Sequence, residues 1–347
     1  MNKSCEIVRK SMSMNNLDTP ILLSRVIFRW LHSQKGNILF FVLFPLLNLH
    51  FSLSLSGADE IRSSAAAVID ASTGRLLYAK NPDLRLPPAS TTKLMMAIVV
   101  VENADLNQIV TISRLAAGVS LHKAGFEEGD RVTVEKLLYA ALLASANDAA
   151  VALAEAVAGS EAKFVDLMNE KAVALGAGNT RFINSNGLPG PRQYTTASDL
   201  AKIMSYSLKY SKLREIIGTC FAEISTEKGN SFFLQNTNKL LWSSEDIIVG
   251  KTGYTRKARH CFVGAAERQQ SMVIVAVLGS PNRQSLWRDS EELAMKGFSV
   301  MANNEAPIIY FARIQHEKIG TKKTFRIKQL KSKGKRGRKI RTHRSHI

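Results

Sequence analysis

The chain has 347 residues, of which 45% are apolar and 22% charged, a composition that allows a sizeable globular core. Its net charge of +18 is carried by the ends, since residues 1–58 contribute +4 and residues 313–347 contribute +13. The central residues 59–312 retain only +1, so no nucleic acid partner is expected for the core. Three cysteines, with no pair at metal-ligand spacing, exclude a disulfide-rich scaffold. Cys220 and Cys261 could form one bridge or remain two small buried residues.

Residues 1–58 have the order of an export signal, with basic residues ahead of an apolar stretch at 38–55 and small residues after it. The apolar stretch is near the minimum length for a membrane span, so cleavage after Ala58 and retention as an N-terminal anchor are both open. Positive charge ahead of the stretch predicts that the bulk of the chain is extracytoplasmic, in the periplasm or at the cell surface.

The first element predicted after this leader is a β-hairpin, formed by apolar runs at residues 65–70 and 76–80. Prolines then break the strand pattern and lead into a helix that begins near Ser90 and continues through an apolar run at 94–101. Proline suits the position just before a helix, because the first turn lacks amide partners. We expect the start of this helix to be buried against the domain core.

Helices dominate the middle of the chain. Thr133 is the predicted N-cap of one helix, and an alanine-rich helix begins near Asp148 and extends to residue 158. Two further helices are predicted at residues 164–175 and 196–210. The polar triplet Ser145-Ala146-Asn147 therefore lies at a junction between two helices.

After residue 231 the pattern changes to period two. Strands are predicted at residues 246–255, 261–266 and 272–278, followed by an amphipathic helix at 285–300. Strands at both ends with helices between them predict an α+β domain over residues 59–305. Its antiparallel sheet would be covered by helices and carry an inserted helical subdomain. Residues 306–347 are predicted to be a basic, disordered tail, either simply solvated or bound to anionic lipid or a cell-wall polymer.

Three short motifs carry the chemistry of the chain, and in order they are Ser90-Thr91-Thr92-Lys93, Ser145-Ala146-Asn147 and Lys251-Thr252-Gly253. Positions three apart on a helix share a face, so the Lys93 amine can take the proton of the Ser90 hydroxyl. The Ser-x-x-Lys spacing occurs four more times in the chain, so spacing alone does not identify the nucleophile. The order and setting of the motifs do, because they fall at a helix start, a helix junction and a strand edge.

This order of motifs is that of the active-site-serine penicillin-recognising enzymes. The segments at 133–150, 184–189, 194–197 and 250–255 further resemble the low-molecular-mass penicillin-binding proteins of the D-alanyl-D-alanine carboxypeptidase family. The resemblance covers about residues 62–300 and implies a β-lactamase/transpeptidase-like fold. It also implies a serine-type D-Ala-D-Ala carboxypeptidase of cell-wall maturation, which uses no cofactor or metal. Its partners would be peptidoglycan stem peptides, with β-lactams as covalent inhibitors.

The resemblance also assigns catalytic roles. Ser90 would attack the carbonyl of the penultimate D-Ala, and Lys93 would be the general base. A neutral Lys93 is required, and burial together with the charge of Lys251 would lower its pKa. Ser145 would relay a proton to the leaving amine, and Asn147 would hold the acyl side chain and orient Lys93.

The remaining roles concern substrate binding. Lys251 and Thr252 would bind the terminal carboxylate, and Gly253 would let an extended substrate lie along the strand edge. The backbone N–H groups of Ser90 and Tyr254 would form the oxyanion hole.

The sequence departs from the family pattern at two places. Ala146 stands where these carboxypeptidases usually have glycine, and no glycine precedes Cys261 in the segment 256–261. His260 is therefore interpreted as incidental rather than catalytic. A class A β-lactamase is disfavoured because residues 148–250 lack a Glu-x-x-Leu-Asn segment. A DD-endopeptidase or transpeptidase of the same fold, and a non-catalytic peptidoglycan-binding protein, remain alternatives.

Overall fold

A computed structural model describes residues 61–303 and 305–311 of the protein. The leader predicted at residues 1–58 lies outside these residues, as does the basic tail from residue 312 onward. Within the described ranges, none of the helices combines the length and the apolar character needed to span a bilayer.

The described chain contains ten strands and nine α-helices. In chain order the strands are β1 (Ala65–Asp70), β2 (Leu76–Lys80), β3 (Ile109–Thr111), β4 (Arg131–Thr133), β5 (Phe221–Ser225), β6 (Ser231–Gln235), β7 (Ile247–Thr255), β8 (Arg259–Arg268), β9 (Ser271–Ser280) and β10 (Ile308–Tyr310). The helices are α1 (Lys93–Asn103), α2 (Arg114–Gly118), α3 (Val134–Leu142), α4 (Asn147–Ala158), α5 (Glu161–Ala174), α6 (Ala197–Ser207), α7 (Ser211–Ile217), α8 (Leu240–Ser243) and α9 (Arg283–Met301).

The main sheet has six strands in the order β10-β2-β1-β9-β8-β7. The predicted pairing of the N-terminal hairpin with the C-terminal strands is confirmed, since Ala65 of β1 pairs with Leu278 of β9. The sheet is not wholly antiparallel, because β10 pairs with β2 in parallel, with Ile308 opposite Tyr78. Placing residues 308–310 in the tail was therefore wrong, and the end of the domain at residue 305 was too early.

Strand β9 is buried on both faces of the sheet, and its alternation separates two cores. Val273, Val275 and Val277 face the layer formed by α9. Residues 274, 276 and 278 face the opposite layer, which contains α1 and α6. The result is an α+β arrangement with a helical insertion between β2 and β7, as the sequence predicts, and helices cover both faces of the sheet.

Helix boundaries follow local capping. Thr133 caps α3, as predicted, by accepting a hydrogen bond from the Lys136 amide. Helix α5 begins three residues before the predicted start, because Ser160 accepts from the amide of Lys163 and caps it. The short pairs β3–β4 and β5–β6 were not predicted; they form two separate two-stranded sheets within the insertion between β2 and β7.

Candidate active site

The amine of Lys93 is the centre of the site. A single 3-10 turn, Ala89–Thr92, leads into α1, and it brings Ser90 Oγ to 3.3 Å from Lys93 Nζ. Lys93 Nζ also lies 2.7 Å from Asn147 Oδ1 and 2.8 Å from the backbone oxygen of Asn186. A neutral amine has two hydrogens and one lone pair. With both hydrogens given to Asn147 and Asn186, the lone pair is left for the Ser90 proton.

The surroundings of Lys93 favour its neutral form. The side chain is completely buried, and its burial lowers the pKa well below the ordinary value for lysine. The charge of Lys251 lowers it further, and the carboxylate of Asp148 opposes both effects. The predicted direction of the shift and its two causes are thus confirmed.

The second motif joins Lys93 to the sheet. Ser145 adopts a left-handed conformation with φ of 61° at the junction of α3 and α4, a strained position for a residue with a side chain. Its hydroxyl oxygen accepts a hydrogen bond from Lys251 Nζ at 3.1 Å. Lys251 is 1% exposed, and burial lowers its pKa to about 7. Its positive charge is therefore largely lost as the pH rises above about 7.

The loop at residues 184–188 supplies a contact that the sequence did not reveal. Gly187 has φ of 88°, and a Cβ built on it would lie 2.0 Å from the backbone oxygen of Ala89. Only glycine fits there, because both the conformation and the close approach exclude a side chain. The loop can therefore lie directly against the turn at Ala89–Thr92 and present the Asn186 carbonyl to Lys93.

Strand β7 forms the other wall of the site. It is the edge of the main sheet, and a Cβ on Gly253 would lie 2.9 Å from the Ser90 amide nitrogen and 3.1 Å from the Pro88 oxygen. The absence of a side chain at Gly253 therefore brings the strand edge against the backbone of Ser90. Tyr254, the next residue, is 51% exposed.

A cleft opens beside these groups. It is lined by Ser90, His122, Ser145, Thr237, Thr252, Gly253, Tyr254, His260, Arg283, Leu286 and Trp287. Five of the eight predicted site residues line it, and the other three, Lys93, Asn147 and Lys251, are buried just behind it. Sequence reasoning did not select Thr237 or Arg283, because neither belongs to a motif.

His260 lies in the cleft wall, and its interpretation as incidental rather than catalytic stays a prediction. It stands opposite Tyr254 across β7 and β8, with ring centroids 4.4 Å apart. Burial and the charge of Arg283 lower the pKa of His260 and favour the neutral ring. The two tilted rings therefore form an aromatic part of the cleft wall, in which the positively charged Arg283 also lies.

Cys261 is a free, buried thiol, so it does not pair with Cys220. Burial raises the pKa of the Cys261 thiol to about 12, which makes it unreactive. In the part of the chain that the structure covers, no group of three or more histidine, cysteine, aspartate or glutamate side chains is placed to hold a metal ion.

Comparison with known proteins identifies the family of the chain. The sequence model of the D-alanyl-D-alanine carboxypeptidase family matches residues 53–282. The chain belongs to this family. Its α+β architecture is that of the solved members.

The D-alanyl-D-alanine carboxypeptidase relatives include the Bacillus subtilis enzyme DacF, which is 36% identical over 228 residues. That match covers 64% of this chain and 58% of the relative, so the chain spans little more than half of its length. The D-alanyl-D-alanine endopeptidase of Pseudomonas aeruginosa is 32% identical over 271 residues, which is 72% of this chain and 86% of the relative. Among solved structures, the Streptomyces K15 DD-transpeptidase matches with a TM-score of 0.65 at 33% identity, covering 69% of this chain and 98% of that one.

Proposed function

We propose that the chain is a serine-type D-Ala-D-Ala carboxypeptidase, which removes the terminal D-Ala from peptidoglycan stem pentapeptides through a Ser90 acyl-enzyme. The observation that carries this proposal is the environment of Lys93. Its amine is buried, has a lowered pKa, and is held by Asn147 and Asn186 with one direction left for the Ser90 hydroxyl. A serine next to a neutral amine is an activated nucleophile.

Acylation begins when Lys93 takes the Ser90 proton as the serine oxygen bonds to the carbonyl carbon of the penultimate D-Ala. The carbonyl oxygen becomes an oxyanion, for which the backbone N–H groups of Ser90 and Tyr254 are the proposed donors. The contact between Gly253 and the Ser90 backbone supports this pairing, since it brings the two segments together. Losing one such donor typically raises the barrier by about 2.7–4 kcal/mol.

Collapse of the tetrahedral intermediate breaks the bond between the carbonyl carbon and the nitrogen of the terminal D-Ala. The leaving nitrogen needs a proton, and Ser145 is the proposed donor; the proton held by Lys93 replaces it. The hydrogen bond between Lys251 Nζ and Ser145 Oγ orients this hydroxyl. Water then attacks the acyl-enzyme, with Lys93 again as the base, and releases the shortened peptide.

The cleft also suits a substrate with a free carboxylate. Lys251 and Thr252 are the proposed binding groups, and Arg283 adds a positive charge to the same cleft. The pKa of Lys251, about 7 without substrate, would rise when a carboxylate binds beside it. Only substrates with a free C-terminus carry this carboxylate, so only they would gain this contribution to binding.

The test is covalent labelling of the purified protein with a fluorescent penicillin, a β-lactam expected to acylate Ser90. Wild type should be labelled, and Ser90→Ala should not. Ser225→Ala is the matched control, because Ser225 and Lys228 have the same Ser-x-x-Lys spacing and Ser225 instead contacts Lys136. Unlabelled wild type, or full labelling of Ser90→Ala, would refute the proposed nucleophile. A non-catalytic peptidoglycan-binding protein would bind substrate without either label or D-Ala release.

A second candidate function is a DD-endopeptidase or transpeptidase, and it is favoured by the relatives that carry those activities. The nucleophile would be Ser90 in each case. An endopeptidase would differ in the amine that leaves when the acyl-enzyme forms, and a transpeptidase would differ in the acceptor of the acyl group, an amine instead of water. D-Ala release from a pentapeptide, measured beside cleavage of a cross-linked peptide dimer, separates these activities. Faster dimer cleavage would make the endopeptidase the main activity.

We also propose an extracytoplasmic location, because the leader has the pattern of an export signal and the substrate class lies outside the cytoplasm. The basic tail at residues 313–347 is proposed to bind anionic lipid or a cell-wall polymer. Cell fractionation of a chain lacking these residues tests this role. Loss of envelope association is expected, and unchanged association would exclude the tail as the anchor.

A further inference from the structure

Thr237 belongs to no motif, yet hydrogen bonds of its backbone and of its two neighbours hold it in place. It lies between β6 and α8, and its backbone N–H donates to the Leu143 oxygen at 3.1 Å, at the end of α3. The side chains on either side of it, Asn236 and Asn238, are buried and hydrogen-bonded to backbone groups. The segment is therefore rigid, whereas the Thr237 side chain itself is exposed in the cleft.

A side-chain hydrogen bond joins Thr237 to the third motif. Its Oγ1 lies 2.6 Å from Thr252 Oγ1. Each hydroxyl has a single hydrogen, so only one of the two can donate to the other. If Thr237 donates, the Thr252 hydrogen remains available to an acceptor in the cleft.

A carboxylate selects between these two arrangements. An ionised carboxylate only accepts hydrogen bonds, so it favours the state in which Thr252 donates to it and accepts from Thr237. Hydrogen bonds in such a chain polarise one another, and the Thr252 hydroxyl becomes a better donor because it accepts from Thr237.

We propose that Thr237 is a positioning residue for the carboxylate subsite, and that it acts by directing the Thr252 hydroxyl hydrogen toward the substrate carboxylate. The inference rests on the proposed function, in which Thr252 binds that carboxylate. It assigns Thr237 to carboxylate specificity and gives it no part in the chemical step.

The experiment compares Thr237→Val, which keeps the shape and removes the hydroxyl, with Thr237→Ser, which keeps the hydroxyl. For D-Ala release from a pentapeptide, Thr237→Val should raise KM about tenfold with kcat within twofold, and Thr237→Ser should resemble wild type. Because the side chain is exposed, both variants should unfold at the wild-type temperature. Equal impairment of both variants, or a loss confined to kcat, would overturn the proposal.

Two further measurements separate this role from others. Acylation by a penicillin should slow about tenfold in Thr237→Val, whereas acylation by the methyl ester of the same penicillin should not change. The effects of Thr237→Val and Thr252→Val should also be less than additive, because the first acts through the second. Additive effects, or an equal loss with the acid and the ester, would contradict the mechanism.

The same measurements distinguish the two proposals. If wild type is acylated by the penicillin but releases no D-Ala from peptides, the carboxypeptidase proposal fails and the comparison of acid and ester still decides the role of Thr237. If wild type is not acylated by either compound, both proposals are wrong.

Discussion

The Ser90 hydroxyl oxygen lies 3.3 Å from the Lys93 amine, and the partners of that amine come from two separate parts of the helical insertion. Asn147 approaches from the start of α4, and Asn186 approaches from the loop before α6. Because these two groups occupy two directions around the amine nitrogen, they determine where its lone pair points.

Replacing Asn147 with aspartate should move the pH dependence of acylation. Asn147 Oδ1 accepts from Lys93 at 2.7 Å, and its Nδ2 donates to the Leu121 oxygen at 2.8 Å. A carboxylate at this position would stabilise the charged amine and raise the pKa of Lys93, so more alkaline conditions would be needed to neutralise it. Penicillin acylation rates measured from pH 5 to 9 should show the acid limb displaced upward by about one unit or more. Asn169→Asp, in α5, should leave the profile unchanged.

Gly187→Ala should impair acylation, because its Cβ would collide with the Ala89 backbone. Moving the loop away would remove the Asn186 carbonyl from Lys93, so acylation should fall by at least about tenfold and stability by roughly 1–3 kcal/mol. Gly229→Ala is the matched control, since Gly229 has the same φ of 88° but no atom within 4 Å of the place where a Cβ would stand. Equal losses in the two variants, measured by labelling and thermal unfolding, would indicate backbone strain alone.

Lys251→Met should change how stability depends on pH. Burial lowers the pKa of Lys251 from 10.5 to about 7, so between these values the unfolded chain binds more protons than the folded one. The free energy of unfolding of wild type therefore rises with pH in this window, by at most about 1.4 kcal/mol per unit from this group. Relative to wild type, the variant should lose stability by this slope as the pH rises from 7 to 10.

Urea titrations at several pH values measure this difference. The exposed Lys257→Met, in the turn between β7 and β8, is the control and should give a curve parallel to that of wild type. A parallel curve for Lys251→Met as well would contradict the assigned cost of burying this amine.

Asp148→Asn should loosen the loop that forms one side of the cleft. The buried carboxylate of Asp148 accepts hydrogen bonds from the backbone N–H groups of residues 124, 125 and 126. An amide would turn a donor toward these donors, at a cost of about 1–3 kcal/mol in stability. Loss of the charge would also lower the pKa of Lys93 further, so the acid limb of acylation should move to lower pH. The exposed Asp166→Asn should change neither quantity.

The sequence was sufficient to predict those parts of the site that depend on side-chain chemistry. Ser90 and Lys93 share a helix face, and the order of the motifs identified their partners. The Asn186 contact could not be predicted, because a backbone carbonyl has no signature of its own. The position of His260 could not be predicted either. The register between β8 and β9 shifts between His260 and Phe262, and such a shift decides which face of the sheet a side chain occupies.

Strand β10 was missed for a related reason. Three residues are too few to show a period, and their pairing with β2 is decided by the tertiary fold. Thr237 was missed because its importance comes from one hydrogen bond to Thr252, which joins segments separated by a helix and a turn.

The pairing of β1 with β9 also has a consequence for folding kinetics. Ala65 meets Leu278, so the first strand finds its central neighbour only after almost the whole domain has been synthesised. Such a topology has a high contact order, because its paired residues are far apart in the sequence. Folding is expected to be slow, because the entropy of closing the long loop is lost before the contacts that compensate it form. A nascent chain that stops before β9 contains Ser90 and Lys93 but lacks the central strand of the main sheet. Penicillin labelling would therefore mark completed molecules and pass over partly synthesised ones.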